Sequence, residues 1–166
     1  MRTTGYCRPL ATSSSSSSLA AAERMRESVA RYRGKVDGGL TFLIQDYVRG
    51  GREVIVGMTH DPKLGPLVMF GLGGIYVETM KDVVFRVPPL TDLEASEMIQ
   101  QIRGYSFLRG VRGEASIDFD ALTGILQRFS QLAEELPQIA EIEINPLMVF
   151  PEAGDFRAVD ARVRLD

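Results

Sequence analysis

Residues 139–163 read IAEIEINPLMVFPEAGDFRAVDARV, and they decide the fold class. Apolar and polar residues alternate from Ile139 to Phe150 and again from Phe156 to Val163. A period of two belongs to strands with one buried face. Pro151-Glu152-Ala153-Gly154 between them carries turn chemistry, so the stretch predicts a hairpin. With those four residues as the loop, Phe150 pairs with Asp155, and counting back puts Asn145 opposite Asp160. Glu141, Glu143 and Asn145 lie two apart and share one face, while Ile142 and Ile144 take the other face into the core. Directly opposed residues have Cβ atoms about 4.5–5.5 Å apart. Glu143, Asn145 and Asp160 can therefore converge on one divalent cation through hard oxygens. Such a set suits Mg²⁺ or Mn²⁺, whose shell waters and substrate phosphates complete, better than a Ca²⁺ cage. A solvated polar face on an edge hairpin accounts for the same spacing. Two features stand against it: Asn is a poor strand former, and Asn145-Pro146 interrupts a strand that otherwise pairs well.

Working backwards along the chain, two helices are well signed. Asp118 opens one; Leu122, Ile125, Leu126, Phe129, Leu132, Ala133 and Leu136 form its apolar stripe, and Pro137 stops it. Thr91 and Glu94 form a capping box at the start of the other; Ala95, Met98, Ile99 and Ile102 line its inner face, and Gly104 ends it. Upstream the pattern is of strands: Leu40–Val48, then Glu53–Thr59 with Val54, Val56 and Met58 inward, then Leu67–Phe70. Ile75–Glu78 and Val83–Val87 are further candidates. Leu19 to Arg33 is helical, with Ala22, Met25, Val29 and Tyr32 on one face. Residues 1–18, with an unbroken serine run from Ser13 to Ser18, are expected to be a disordered leader. Residues 19–166 then form one α+β domain, a mostly antiparallel sheet packed by helices.

Scarce residues exclude whole chemistries. One cysteine, Cys7, rules out a disulfide framework, and one histidine, His60, rules out zinc sites needing two imidazoles. A net charge of −3 argues against nucleic acid as the main partner. No charge-free apolar run reaches the roughly 18 residues that a spanning helix needs, so no membrane partner is expected. The lone cysteine fits a reducing compartment, and the expected location is the cytoplasm.

Other polar features are less specific. Phe70-Gly71-Leu72-Gly73-Gly74 could bring backbone N–H groups to phosphate oxygens, or simply turn between strands. It is neither a Walker loop nor a dinucleotide fingerprint: no Gly-Lys-Ser or Gly-Lys-Thr follows, and Tyr76 stands where a third glycine would be. His60, before Asp61, reads as a surface turn residue. Lys81, Arg103, Arg109 and Arg112 are scattered cations that could meet phosphates.

Taken in order, several segments resemble one family. They are Leu43-Ile-Gln-Asp-Tyr-Val48, Gly51-Arg-Glu-Val-Ile-Val-Gly57, Asp61-Pro62, Gly65-Pro-Leu-Val-Met-Phe-Gly-Leu-Gly-Gly74, Glu78, Arg112-Gly113, Glu143-Ile-Asn-Pro146 and Val159-Asp-Ala-Arg162. The family is the ATP-grasp domain of NDP-forming acyl-CoA synthetases, related to the succinyl-CoA synthetase β subunit. The resemblance implies ATP or ADP as substrate and Mg²⁺ or Mn²⁺ as cofactor. Gln45, Asp46, Tyr47 and Val48 match the hinge that holds adenine and ribose, with Asp46 where Glu is more usual. Glu53 matches an acid facing the nucleotide cleft. Asn145 and Asp160 match the Mg²⁺ ligands, and Glu143 the accompanying acid. The loop with Gly71, Gly73 and Gly74 would lie near the transferred phosphate. The match runs from about Leu19 to the C-terminus and covers the C-terminal half of such a domain. The first ATP-grasp lobe is missing from the match, and a CoA-binding and phosphohistidine-carrying domain or subunit is expected on another chain. An apolar face where they would dock makes association into oligomers the expectation. The implied function is the nucleotide- and Mg-binding part of an ADP-forming acyl-CoA synthetase, inactive in isolation. The alternative is a non-catalytic regulatory or oligomerising module, or a truncated relic, as in the ATP-grasp-like parts of protein-lysine acetyltransferases.

Overall fold

A computed structural model of the chain describes residues 15–33, 40–42, 47–74, 82–110 and 113–165. The chain divides into residues 1–47 and residues 48–166. In the first unit, helix α1 spans Ser15–Arg33 and so begins inside the serine run, ahead of the apolar periodicity that starts at Leu19. The guanidinium of Arg26 stands 5.8 Å from the centroid of the Phe42 ring. The strand expected over Leu40–Val48 does not form at residues 40–42 or 47–48, which are irregular; Leu43–Asp46 lie outside the described residues. Alternation supplies a face, but a strand also needs a neighbour for its N–H and C=O groups, and no described strand pairs with residues 40–42 or 47–48.

The second unit is built on a six-stranded antiparallel sheet. Its strands are β1 (Arg52–Asp61), β2 (Gly65–Leu72), β3 (Val83–Arg86), β4 (Ile139–Val149), β5 (Phe156–Ala158) and β6 (Ala161–Leu165). The order is β3-β2-β1-β4-β5, with β6 also paired to β4. The β1–β2 turn is set by Asp61, whose Oδ1 accepts from the N–H groups of Lys63 (2.8 Å) and Leu64 (3.0 Å). Val54, Val56 and Met58 point inward as their alternation requires, facing the same core as Val68, Phe70 and Leu72.

Three helices belong to this unit among the described residues: α2 (Asp92–Gln101), α3 (Tyr105–Leu108) and α4 (Phe119–Glu135). The Thr91 and Glu94 capping box opens α2. Hydrogen bonds from the Thr91 backbone and then its side chain hold the Glu94 carboxyl below its ordinary value. The helix ends at Gln101, before the expected Gly104, and the short α3 follows. The buried carboxylate of Asp82 accounts for the break: it accepts from the N–H groups of Arg103 and Gly104, both at 2.8 Å. Gly104 is packed so closely that a Cβ would collide with Leu72. Asp118 caps α4 by accepting from the Ala121 N–H at 3.0 Å, and its second oxygen accepts from the Gly154 N–H at 2.8 Å. These two bonds, Ala121 first, hold the Asp118 carboxyl below its ordinary value. Leu122, Ile125, Leu126, Phe129 and Ala133 of α4 are buried with Ala95, Met98 and Ile99 of α2 against one face of the sheet. Among the described residues, no helix is long and apolar enough to cross a membrane.

Candidate functional site

The hairpin closes on the register that its loop length requires. The Phe150 N–H donates to Asp155 O at 3.2 Å, and Val149, Met148 and Leu147 pair with Phe156, Arg157 and Ala158. Beyond a gap, Ile144 pairs with Ala161, Glu143 with Arg162, Ile142 with Val163 and Glu141 with Arg164. Asn145 and Asp160 fall in that gap, directly opposed, with the Asn145 N–H donating to Asp160 O at 3.0 Å. On its other side, β4 meets β1 with a shift: Val54 faces Leu147 but Val56 faces Ile144, so Asn145 and Pro146 together oppose Ile55. This is a β-bulge, and bulges re-aim side chains. The Asn145–Pro146 peptide is cis.

The Asn145 amide then bridges two parts of the unit. Its Oδ1 accepts from the Gly74 N–H at 3.2 Å, and its Nδ2 donates to Glu143 Oε1 at 3.2 Å. A backbone donor on one side and a carboxylate on the other leave the amide a single orientation. Gly74 has φ +60°, and a Cβ there would collide with Glu53 Oε2. Gly73 donates its N–H to Glu53 O at 2.8 Å, and a Cβ on it would meet the Val54 carbonyl at 2.8 Å. One end of the sheet thus brings Glu53, Gly73, Gly74, Glu143 and Asn145 together, with Asp160 across the hairpin. The Asp160 Oδ2 is 3.9 Å from Arg162 Nε.

Other expected site residues fall elsewhere. Gly71 is not in a loop; it is a β2 residue paired with Ile55 and Val83, and its bare Cα accommodates the Asp82 carbonyl. His60 lies on β1 opposite Pro66, exposed, rather than in the turn itself. Tyr47 and Val48 are in irregular chain, Tyr47 exposed. Gln45, Asp46, Glu78, Lys81 and Arg112 lie outside the described residues.

No local pattern in the sequence marks Arg52. It is buried, donates to Ala115 O (2.9 Å), Leu108 O (3.4 Å) and Glu114 Oε2 (3.2 Å), and stacks 5.4 Å from the Phe107 centroid. A buried cation must be paired and hydrogen-bonded; Arg52 meets this by tying the start of β1 to the chain between α3 and α4. Neighbouring Glu53 takes the opposite face, so the same strand end anchors both.

The donor set can be tested against a metal by its chemistry. Among the described residues, no three of His, Cys, Asp and Glu gather to hold an ion, so an all-protein cage is absent there. Two carboxylates and one amide oxygen are the few hard donors that Mg²⁺ takes when phosphates and waters complete an octahedron. The residues fit that cation.

The family model of the ATP-grasp domain matches residues 10–165. The beta subunit of ADP-forming acetate–CoA ligase I from Pyrococcus furiosus is 53% identical over 115 residues, which are 69% of this chain and 49% of that one. This chain therefore spans about half the length of that subunit. The dinucleotide-forming acetyl-coenzyme A synthetase 1 of Ca. Korarchaeum cryptofilum, solved with coenzyme A and Mg-AMPPCP, has a TM-score of 0.68 at 40% identity, covering 72% of this chain and 55% of that one. The same enzyme with coenzyme A, acetyl-coenzyme A and a phosphorylated phosphohistidine segment gives 0.76 at 35% identity, covering 95% and 69%. The chain belongs to the ATP-grasp domain family.

Proposed function

We propose that the chain is the nucleotide- and magnesium-binding part of an ADP-forming acyl-CoA synthetase. The complete reaction is acyl-CoA + ADP + phosphate ⇌ carboxylate + CoA + ATP. The observation that carries this reading is the Asn145 amide, oriented by Gly74 and Glu143, on a residue whose backbone N–H is bonded to Asp160 across the hairpin. Asn145 and Asp160 would hold Mg²⁺, or Mn²⁺ in its place, and Glu143 would assist. Bound there, the metal supplies charge neutralisation for nucleotide phosphates. The protein's own contribution is positioning: Gly74 directs a backbone N–H at Asn145 Oδ1, Asn145 Nδ2 restrains Glu143, and Glu53 lies against Gly74. Gly73 and Gly74 would approach the phosphates, and Gln45, Asp46, Tyr47 and Val48 would hold the nucleoside. A CoA-binding, phosphohistidine-carrying partner in the cytoplasm would complete the assembly. The Korarchaeum enzyme supports that reading, having been solved with coenzyme A and Mg-AMPPCP and with its phosphohistidine segment pointing towards the nucleotide-binding site.

Titration calorimetry of the chain with ADP and ATP, with and without Mg²⁺, tests the proposal. Mg-dependent binding is expected in the parent and lost in Asn145→Ala and Asp160→Ala, with the melting temperature of both variants near that of the parent. An Asp160→Ala variant that binds Mg-nucleotide as the parent does overturns the assignment.

A further inference from the structure

We propose that Arg162 is the charge partner of the Asp160 carboxylate at the metal site: it pairs with it while the metal is absent and turns to the nucleotide phosphates when the metal is bound. The inference rests on the reading that Glu143, Asn145 and Asp160 take the cation. Antiparallel pairing sets Arg162 directly opposite Glu143, so the two side chains leave the same face of the sheet. Its Nε also lies 3.9 Å from Asp160 Oδ2. The guanidinium therefore pairs with one of the three proposed ligands, Asp160, and stands on the rung of a second, Glu143. The side chain is 73% exposed, so packing does not fix it in this position.

The next rung of the hairpin provides an internal comparison. Arg164 Nε donates to Glu141 Oε2 at 3.4 Å, an equivalent cross-strand pair. Glu143 instead accepts from Asn145 Nδ2. Of these two rungs, the Arg162 rung alone shares its carboxylates with the candidate metal site.

Competition follows from charge. A guanidinium and a divalent cation seek the same carboxylates and repel each other at close range. With Asp160 and Glu143 given to the metal, Arg162 would be left free to meet the phosphates that complete the metal's shell. Arg is suited to them, because its planar fork matches phosphate oxygens in pairs. Arg162 therefore opposes the metal alone and favours the metal with nucleotide. A side chain that merely supports the fold would weaken both when removed, and removing an idle surface charge would change neither.

The test is calorimetric titration of the 166-residue chain with Mg²⁺ alone and then with Mg-ADP, with a melting curve for every variant. Arg162→Gln should bind Mg²⁺ alone about two- to fivefold more tightly, the range that one exposed ion pair supports, and Mg-ADP more weakly than the parent. Arg162→Lys keeps the charge and loses the fork, so its Mg²⁺ affinity should stay at the parent value. Arg164→Gln removes the same charge one rung away and should leave both affinities unchanged. If Asp160→Ala abolishes Mg²⁺ binding while Arg162→Gln leaves it unchanged or weaker, the role of Arg162 is overturned and the metal site stands. If the parent binds no Mg²⁺, or Asp160→Ala binds it as the parent does, the metal site falls and Arg162's role with it.

Discussion

Gly74 concentrates several demands in one position. Its φ of +60° is a conformation that L side chains adopt at a cost of roughly 1–2 kcal/mol. A Cβ there would also collide with Glu53 Oε2, and its N–H is engaged by Asn145. Gly154 has a similar φ, +72°, but a Cβ on it would have nothing within 4 Å. The two glycines separate backbone strain from collision. Gly154→Ala should cost about 1 kcal/mol and leave nucleotide binding alone. Gly74→Ala should cost more and lower Mg-dependent nucleotide affinity, because either Glu53 or the Gly74 N–H must move. Chemical denaturation gives the first quantity and calorimetry the second. Equal costs, with Gly74→Ala binding as the parent does, would reduce Gly74 to a turn residue.

Among the elements, the starts of two helices contribute a pH response. Asp118 caps α4 and also holds the hairpin loop through Gly154. Its carboxyl lies below its ordinary value in the folded chain. The folded state therefore binds that proton less well than the unfolded state does. Its stabilisation is complete above the unfolded value, near 3.9 for a free aspartate, and is lost as pH falls through that value towards the folded one. Asp118→Ala should lower the melting temperature by a few degrees at pH 7. Its difference from the parent should shrink as the pH falls below about 3.9. Glu94 is shifted in the same direction, so the comparison between variant and parent is the informative one, not the acid limb of either alone. A difference that does not depend on pH would mean that the carboxylate charge is not what Asp118 contributes.

The same elements show what a sequence can and cannot disclose. The box at Thr91 and Glu94, the cap at Asp118 and the α4 stripe depend on neighbours within a turn or two, and each is legible in the residues alone. The hairpin is legible too, because loop length sets register and register places Asn145 against Asp160. The end of α2 is not. It is imposed by Asp82, 21 residues before Arg103, and no local pattern marks a carboxylate that will accept from a distant turn. The candidate site divides in the same way. Glu143 and Asn145 share a strand and announce themselves by spacing, whereas the Gly74 to Asn145 bond joins positions 71 residues apart. Composition alone groups Gly71 with Gly73 and Gly74, and only the pairing of β2 with β1 and β3 separates them.

Within residues 48–166, the sheet keeps its core and the candidate site on opposite faces. Val54, Val56, Phe70, Leu147 and Val149 pack with α2 and α4 on one, while Glu53 and Glu143 alternate to the other. Stability and binding should therefore be separable by mutation. Leu126 is fully buried in α4, and Leu126→Ala should cost about 2–5 kcal/mol through lost burial and the cavity left behind. That is a large fraction of the 5–15 kcal/mol, roughly, that holds a typical domain together. At a temperature where the variant remains folded, its Mg²⁺ affinity should equal that of the parent, since α4 packs on the face away from Asn145. Asp160→Ala should do the reverse, losing Mg²⁺ while melting near the parent temperature, because Asp160 is bonded into the hairpin through its backbone carbonyl. Denaturant titrations paired with calorimetry at low temperature measure both quantities on the same samples. If Leu126→Ala loses Mg²⁺ affinity while still folded, the bulge that aims Asn145 is held by the core behind it. The two faces would then be one cooperative unit, not a scaffold and a site.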